Sequence, residues 1–188
     1  MTLQDELEHK DQWTKVSQQE LNTILDRHEA FVDNQSGGER MQLGMHDLSY
    51  LDMAGRNLSR AELTGAVLSH ASLEGATLDD AILFAADLRF ANMMDASLNH
   101  SDLRGACLAG ADLSGATMND VDMRDGMLLR TAAEGGDLAP IKHENSSVGI
   151  EKTTLKGANL SKSEFLMTDF TFADMRGAIL ARADLRGV

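Results

Sequence analysis

The stretch AELTGAVLSHASLEGATLDD, residues 61–80, consists of four consecutive five-residue units of the form Ala-x-Leu-x-x. The same spacing extends in both directions, because every fifth residue from Leu43 to Leu128 is leucine or methionine. The residue two places before each of these positions is usually small, and it is alanine without a break from Ala61 to Ala96. A period of five fits neither an α-helix nor a strand. The chain is therefore a repeat protein over most of its length.

A five-residue period fits a coil with four straight sides, in which each unit forms one side. The leucine of each unit then points inward, and so does the small residue before it, near the corner. Glycine, which often follows the leucine by two places, suits the turn because it adopts positive φ without a steric penalty. Successive coils pair as parallel strands about 4.8 Å apart, and each buried leucine contributes about 1.5–3 kcal/mol. The predicted core leucines include Leu63, Leu68, Leu73, Leu78, Leu83, Leu88, Leu98, Leu103, Leu108 and Leu113.

The units AELTG, ASLEG, SDLRG and ADLSG resemble the A(D/N)LXX signature of the pentapeptide-repeat family. The resemblance covers residues 41–130 and about 148–187, and it implies an all-β fold, a right-handed four-sided parallel β-helix over residues 41–188. The first units depart from the signature. Their small-residue positions hold Met41, His46, Leu51 and Arg56. We therefore expect the first coil to be wider than the others or irregular.

Residues 1–40 are predicted to form an N-terminal helical leader that caps the β-helix. Within them, SQQELNTILDRHEAFVD, residues 17–33, has the pattern of an amphipathic helix, and Ser17 with Glu20 forms a capping box. The apolar stripe consists of Leu21, Ile24, Leu25, His28, Phe31 and Val32. A stacked coil exposes its core at both ends, so we expect this stripe to cover the first coil. We interpret His28 as a packed core residue rather than a ligand.

The period fails in TAAEGGDLAPIKHENSS, residues 131–147, and then resumes. In one register all seventeen of these residues are inserted, and Val148 and Ile150 return to the core. In the other, TAAEG and GDLAP keep the phase through Ala133 and Leu138, and only IKHENSS bulges out. In both registers the break is an excursion from a core that continues.

The excursion has two interpretations. It is a tolerated surface insertion, or it is a loop that contacts a partner, with Lys142, His143 and Glu144 at its tip.

The sequence contains no catalytic constellation, so we expect no enzymatic activity, no cofactor and no metal. The six histidines lack metal-ligand spacing. His100 lies twenty residues from both Asp80 and Asp120, which suggests a weak metal or acid–base site or, alternatively, an ordinary polar ladder. Cys107, the single cysteine, is expected to point outward as a reactive thiol. One cysteine permits no internal disulfide and fits a reducing compartment.

The net charge of −13 argues against direct binding to nucleic acid, because phosphate contacts need clustered lysine and arginine. The acidity is concentrated in the first two thirds of the chain, since residues 153–188 are slightly basic. No apolar run approaches the length of a membrane span, so no membrane association is expected. The sequence is therefore interpreted as that of a soluble, cytoplasmic, bacterial protein.

When the sequence is divided into twenty-residue turns, Tyr50, His70 and Phe90 fall at one corner. Other apolar residues at outward positions nearby are Ile82 and Phe84 on the side before this corner and Met94 on the side after it. The cluster is a candidate contact patch for a protein partner. Alternatively, it is aromatic stacking within the chain or a contact with the leader.

Two functions are therefore considered. The first is a non-enzymatic interaction scaffold, a rigid rod that presents the apolar patch and one loop to a protein of unknown identity. The second follows from the family resemblance, because some pentapeptide-repeat proteins imitate B-DNA and bind DNA gyrase or topoisomerase IV. Three features argue against the second: the acidity does not reach the C-terminal end, inward phenylalanine is limited to Phe165 and Phe170, and a leader helix is not typical of those proteins.

The C-terminal segment ARADLRGV stops within the repeat pattern. This predicts either a homodimer through the C-terminal coil or continuation into a further C-terminal domain. In such a dimer Phe170, Leu180 and Leu185 would lie near the joint.

Overall fold

The computed structural model describes residues 13–126, 129–131, 138–140, 152–165, 168 and 170–188. The segments 129–131 and 138–140 are described by their backbone alone. The elements in chain order are β1 (Thr14–Lys15), α1 (Gln18–Val32), β2 (His46–Asp47), β3 (Leu129–Thr131) and β4 (Leu138–Pro140). Most of the repeat region lies outside these elements and is held together by single parallel bridges.

The bridges form four columns, in which each residue pairs with the residue twenty positions later. The coil therefore has four sides, which we call A, B, C and D. Side A carries Glu62, Ile82 and Asp102, side B Val67, Asp87 and Cys107, side C Ser72, Asn92 and Asp112, and side D Thr77, Ser97 and Thr117. Each side ends at a corner residue with positive φ, such as Gly65, His70, Gly75 and Asp80 at the four corners of one coil.

The inward positions form one continuous core. All ten leucines expected there are fully buried, and so are the alanines from Ala61 to Ala96 that precede them by two places. The alanines are required because their β-carbons point into the corner, where the backbone of the same coil turns. The outward residue between each alanine and leucine bridges to the neighbouring coils, so that the hydrogen bonds and the core repeat with the same period.

The first coil is more regular than the sequence suggests. Its four bridges run from Gln42, Asp47, Asp52 and Asn57 to residues twenty positions later, as in every other coil. The expectation of an irregular first coil is therefore wrong. The large side chains at its corners fit because they contact the leader. Arg56 donates to Glu29 and Asp26 at 2.8 and 2.7 Å, and Met41 lies buried beside the same helix.

The leader lies over this first coil. β1 pairs with β2 in parallel, Thr14 with His46 and Lys15 with Asp47. α1 then begins after Ser17, whose side chain and that of Glu20 form the reciprocal capping box. Leu21 and Leu25 of α1 are buried in the same cluster as the core of the repeats, and Ile24 packs against it while half-buried. This helix, the only one in the described residues, is too short and polar to span a membrane.

The register changes once. Asn92 pairs with Asp112, twenty residues later, but Asp112 pairs with Thr154, which is 42 residues later. Since 42 less 20 is 22, the excursion adds 22 residues. Both expected registers, with insertions of seventeen and seven residues, are therefore wrong. The reason is visible in part: Leu138 lies in β4, which pairs antiparallel with β3 instead of joining the parallel coil.

Candidate interaction surface

Tyr50, His70 and Phe90 form a stack of three parallel rings at the corner between sides B and C. The centroids of Tyr50 and His70 are 4.8 Å apart with an interplanar angle of 6°, and those of His70 and Phe90 are 5.0 Å apart at 17°. The spacing follows from the fold, because residues twenty apart occupy successive coils about 4.8 Å apart. We call these three residues the aromatic ladder.

The aromatic ladder is exposed. The exposed fractions of Tyr50 and Phe90 are 74% and 56%. Its three residues have φ of 63°, 60° and 60°, in the left-handed region that favours glycine. At the next corner, between sides C and D, the equivalent residues Gly55 and Gly75 are glycine. The ladder therefore places bulky apolar side chains at backbone positions that strain them and that leave their edges in solvent.

Gly110 forms the seat of the ladder. It occupies the same corner one coil after Phe90 and has φ of 73°. A β-carbon placed at Gly110 would lie 2.5 Å from both Cδ1 and Cε1 of Phe90. The ring of Phe90 therefore lies directly on the glycine backbone, a position that no other residue type permits without movement of the ring.

The remaining residues of the predicted patch divide into two groups. Met94, on side C, is 37% exposed and lies near the ladder. Ile82 and Phe84 lie on side A, separated from the ladder by side B, and both are only half-exposed. The ring of Phe84 lies 5.5 Å from Cζ of Arg104, and a β-carbon at Gly126 would lie 2.6 Å from its Cε2. Phe84 thus holds the chain where the excursion leaves the coil.

Charged side chains on side A form a continuous ladder of ion pairs. Arg104 and Arg124 each donate to the aspartate two residues earlier, Asp102 and Asp122, at 2.6 Å, and Arg124 also lies 3.2 Å from Glu164 on the next coil. Burial acts to raise the pKa of Asp122, but the hydrogen bonds and charge of Arg124 outweigh it, so that the pKa lies below its ordinary value. This side is electrostatically satisfied by its own chain.

The other predicted sites are not assembled as chemistry would require. His100 is exposed, and Asp120 pairs with Lys162 at 3.3 Å. Among the described residues, no group of histidine, cysteine, aspartate and glutamate could hold a metal ion. Lys142, His143 and Glu144 lie outside the described residues.

The expectation that Cys107 faces solvent is wrong, because only 2% of it is exposed. It shares side B with Asp87, which is equally buried and is bound by Arg89 at 2.6 Å. Side B is therefore not a free surface at this level of the coil, and the thiol has no open approach.

Sequence reasoning missed Phe172, which is 80% exposed. Its φ is 60°, and it occupies the same corner as the aromatic ladder, two coils after Gly110. The twenty-residue division could not place it there, because the 22 additional residues shift every later position. Ile179 and Val188 are also exposed near this end.

His28 joins the leader to the first coil. Its Nδ1 accepts a hydrogen bond from the backbone N–H of Met41 at 3.0 Å, and its ring is fully buried. Burial lowers the pKa of His28 below its ordinary value, so the ring is neutral with its proton on Nε2. The interpretation of His28 as a packed residue agrees with this position.

A family model described as pentapeptide repeats matches residues 47–83, 81–120 and 152–188, with eight copies. A search of curated proteins gives no significant match.

Several solved structures are similar to this chain. A pentapeptide-repeat protein from the thylakoid lumen of Arabidopsis thaliana is 25% identical, with 65% of this chain and 67% of that chain covered and a TM-score of 0.41. A pentapeptide-repeat protein from Nostoc is 27% identical, with coverage of 60% and 83% and a TM-score of 0.49. QnrB1, a plasmid-mediated fluoroquinolone resistance protein, is 17% identical, with coverage of 76% and 72% and a TM-score of 0.37.

Proposed function

Since this chain belongs to the pentapeptide-repeat family, we propose that it is a non-enzymatic interaction scaffold, a right-handed β-helical rod that binds a protein partner through the aromatic ladder. The family match indicates no enzymatic family. The observation that carries the proposal is the exposure of three stacked rings at strained corners. In this proposal residues 41–188 form the rod and residues 1–40 form its cap.

Stacking within the chain does not explain the ladder by itself. Three bulky residues in the left-handed region cost about 1–2 kcal/mol each, while two ring stacks contribute about 0.5–1.5 kcal/mol each. Glycine would avoid the strain and would cost only about 0.5–1 kcal/mol in backbone entropy at each corner. Since these magnitudes nearly cancel, stability gives no net reason for aromatic residues. A partner that buries the exposed edges would supply one.

The leader supports the proposal as a cap. The buried Leu21 and Leu25 and the ion pair between Arg56 and Glu29 hold α1 against the first coil. A covered first coil leaves no open core or strand edge there to aggregate.

Two further surfaces belong to the proposal. The excursion contributes the second contact, with Lys142, His143 and Glu144 at its tip. The last described coil contributes a third, because Phe170 and Leu180 are half-buried and Leu185 is 40% exposed. These side chains suit the stacking of another coil, from a second copy or from further chain.

Ladder variants test the proposal. Tyr50, His70 and Phe90 would all be replaced by asparagine, which tolerates positive φ. The matched control replaces Arg60, Asp80 and His100, at the D–A corner with φ of 65°, 58° and 59°, by asparagine. Both proteins should show the same circular dichroism. Proteins captured from a lysate of the source cells should include a specific partner that the ladder variant loses and the control retains. Equal capture by both variants would refute a role for the ladder.

The second candidate function is an acidic DNA mimic that binds DNA gyrase or topoisomerase IV. The observation that favours it is a run of carboxylates, Asp52, Glu74 and Asp112, on side C without a basic residue between them. The basic Lys156 and Arg176 continue the same side and interrupt the imitation. A gyrase supercoiling assay separates the two functions, because only a mimic inhibits the reaction in a dose-dependent way or protects it from quinolones.

A further inference from the structure

Side C differs from the others in how its charge is distributed along the rod. In its first four coils, residues 51–55, 71–75, 91–95 and 111–115 include four acidic residues and no lysine or arginine. The acidic residues are Asp52, Glu74, Asp95 and Asp112. In the last two described coils the same side presents Lys156 and Arg176. Side C is therefore acidic toward the leader and basic toward the other end.

The carboxylates of side C lack ion-pair partners within the described residues. Asp52 and Asp112 accept hydrogen bonds from backbone N–H groups two residues later, Ala54 and Ser114, at 3.0 Å. Glu74 accepts from the side-chain amide of Asn92 at 3.1 Å. By contrast, the aspartates of side A are each paired with arginine. The negative charge of side C therefore faces solvent uncompensated.

The basic end carries an excess of cations. Asp174 lies 2.6 Å from Arg176 and 3.4 Å from Lys156, so one carboxylate serves two cations. Both basic side chains remain half-exposed or more. An acidic surface could approach them without displacing Asp174.

The spacing makes the face self-complementary. Side C runs through six coils at Asp52, Ser72, Asn92, Asp112, Thr154 and Asp174, which spans about 24 Å at about 4.8 Å per step. A two-fold axis between the third and fourth coils, perpendicular to the stack, places the first coil opposite the sixth and the second opposite the fifth. Glu74 then faces Lys156 of the second copy.

The same axis aligns the apolar residues of the B–C corner. A two-fold axis that lies in the plane of side C keeps this corner on the same edge, so Tyr50 of one copy faces Phe172 of the other. Both rings are among the most exposed of the described residues, at 74% and 80%. The arrangement also brings Asp52 near Arg176 of the second copy.

From these observations we infer that side C, with the exposed rings at its B–C corner, binds a second copy of this chain in antiparallel orientation. The inference rests on the proposed function and deepens it, since it assigns an occupant to one face of the scaffold. A second copy is favoured over a different protein because both signs of charge and both rings lie on one face in mirrored order, which an isologous two-fold contact requires. The face is one side of a thin rod, narrower than interfaces that bury about 800 Å² per partner. The dimer is therefore weak and sensitive to salt.

Analytical ultracentrifugation over a range of protein concentrations tests the inference. The full chain should dimerise at low salt and dissociate in about 0.5 M NaCl, because exposed charge pairs are screened. Glu74→Lys and Lys156→Glu should each weaken the dimer about tenfold, because each places like charges opposite each other twice per dimer. A mixture of the two variants should form a heterodimer of about wild-type affinity, since every opposed pair is then of opposite sign. The double variant E74K/K156E should recover as well.

Controls separate this contact from the others. Asp80→Lys reverses a charge at the D–A corner and should leave dimerisation unchanged. Leu185→Glu should disrupt an end-to-end dimer but not the side-by-side one. The inference is overturned if the protein is monomeric at low salt, if the two single variants dimerise as the wild type does, or if their mixture fails to recover. A monomer whose ladder still binds a different protein would refute the dimer and leave the scaffold intact.

Discussion

Replacing Gly110 by alanine should destabilise the protein for two separable reasons. Gly110 has φ of 73°, where a β-carbon costs about 1–2 kcal/mol. That β-carbon would also lie 2.5 Å from two atoms of the Phe90 ring. Since the obstacle is the end of a side chain, the ring swings away and loses its stack on His70, which removes about 0.5–1.5 kcal/mol more. The expected total is about 1.5–3.5 kcal/mol.

Gly75→Ala is the matched control. Gly75 has φ of 63° and no atom within 4 Å of the position of a β-carbon. It therefore carries the backbone cost alone. The difference between the two variants measures the seat of the ladder, at about 0.5–1.5 kcal/mol. For a chain of this size each kcal/mol lowers the melting temperature by about 2–4 °C.

Urea unfolding of four proteins would complete the measurement: wild type, Gly110→Ala, Phe90→Asn and the double variant. If Gly110 acts through Phe90, the additional cost of Gly110→Ala over Gly75→Ala should disappear in the Phe90→Asn background. The near-ultraviolet circular dichroism of the ladder should change with Gly110→Ala and not with Gly75→Ala. Equal losses of stability for the two glycine variants would refute the reasoning, because the ring would then not depend on its seat.

Three other predictions concern the core, the leader and the excursion. Leu83→Ala should cost about 3–5 kcal/mol in urea unfolding, because the fixed spacing of the coils prevents collapse of the void, whereas Leu185→Ala should cost under about 1.5 kcal/mol since Leu185 is 40% exposed; similar losses would show that the interior adapts. Burial depresses the pKa of His28 below 6.5, so the unfolded chain binds more protons and stability should fall as the pH falls below about 6.5; His28→Gln should flatten this part of the pH profile, and an unchanged slope would assign it to other groups. Gly126→Ala should cost about 1–3 kcal/mol, because its β-carbon would lie 2.6 Å from Phe84 and 2.9 Å from the backbone carbon of Arg104; a second change, Phe84→Ala, should relieve only the first contact, so full recovery would contradict the geometry.

The repeated core could be predicted in detail because one constraint recurs at every unit. An inward position in a four-sided coil accepts leucine or methionine, and the position two before it accepts only a small side chain. Leu83 and Ala81 therefore identify themselves from their spacing alone, and both are buried. The capping box at Ser17 was predictable for a similar reason, since it depends on residues only three apart.

The excursion could not be predicted because the period constrains its length only in steps of five. Leu128 and Leu155 are 27 residues apart, which allows insertions of 7, 12, 17 or 22 residues without disturbing the phase. The bridge from Asp112 to Thr154 selects 22. The choice depends on whether the segment around Leu138 pairs with the coil or with β3, and a local pattern does not decide between these pairings. The position of Phe172 was lost with it.

The burial of Cys107 shows a second limit. Alternation along a side places its side chain outward, and this direction is a property of the coil. Burial, however, depends on what lies over that side, and chain segments distant in sequence can cover it. Asp87, one coil earlier, is buried in the same way.

A solenoid converts the order of residues along the chain into positions along an axis, so a change in charge with sequence becomes a gradient along one face. On side C this gradient runs from Asp52 and Glu74 to Lys156 and Arg176. Two copies aligned in parallel would place like charges together along the whole face, which is unfavourable. Only the antiparallel arrangement opposes the two ends of the gradient. It also brings together the two exposed rings, Tyr50 and Phe172, that the excursion separates in sequence. Charge and apolar surface thus favour the same orientation independently, and the reciprocal recovery of Glu74→Lys by Lys156→Glu tests that orientation directly.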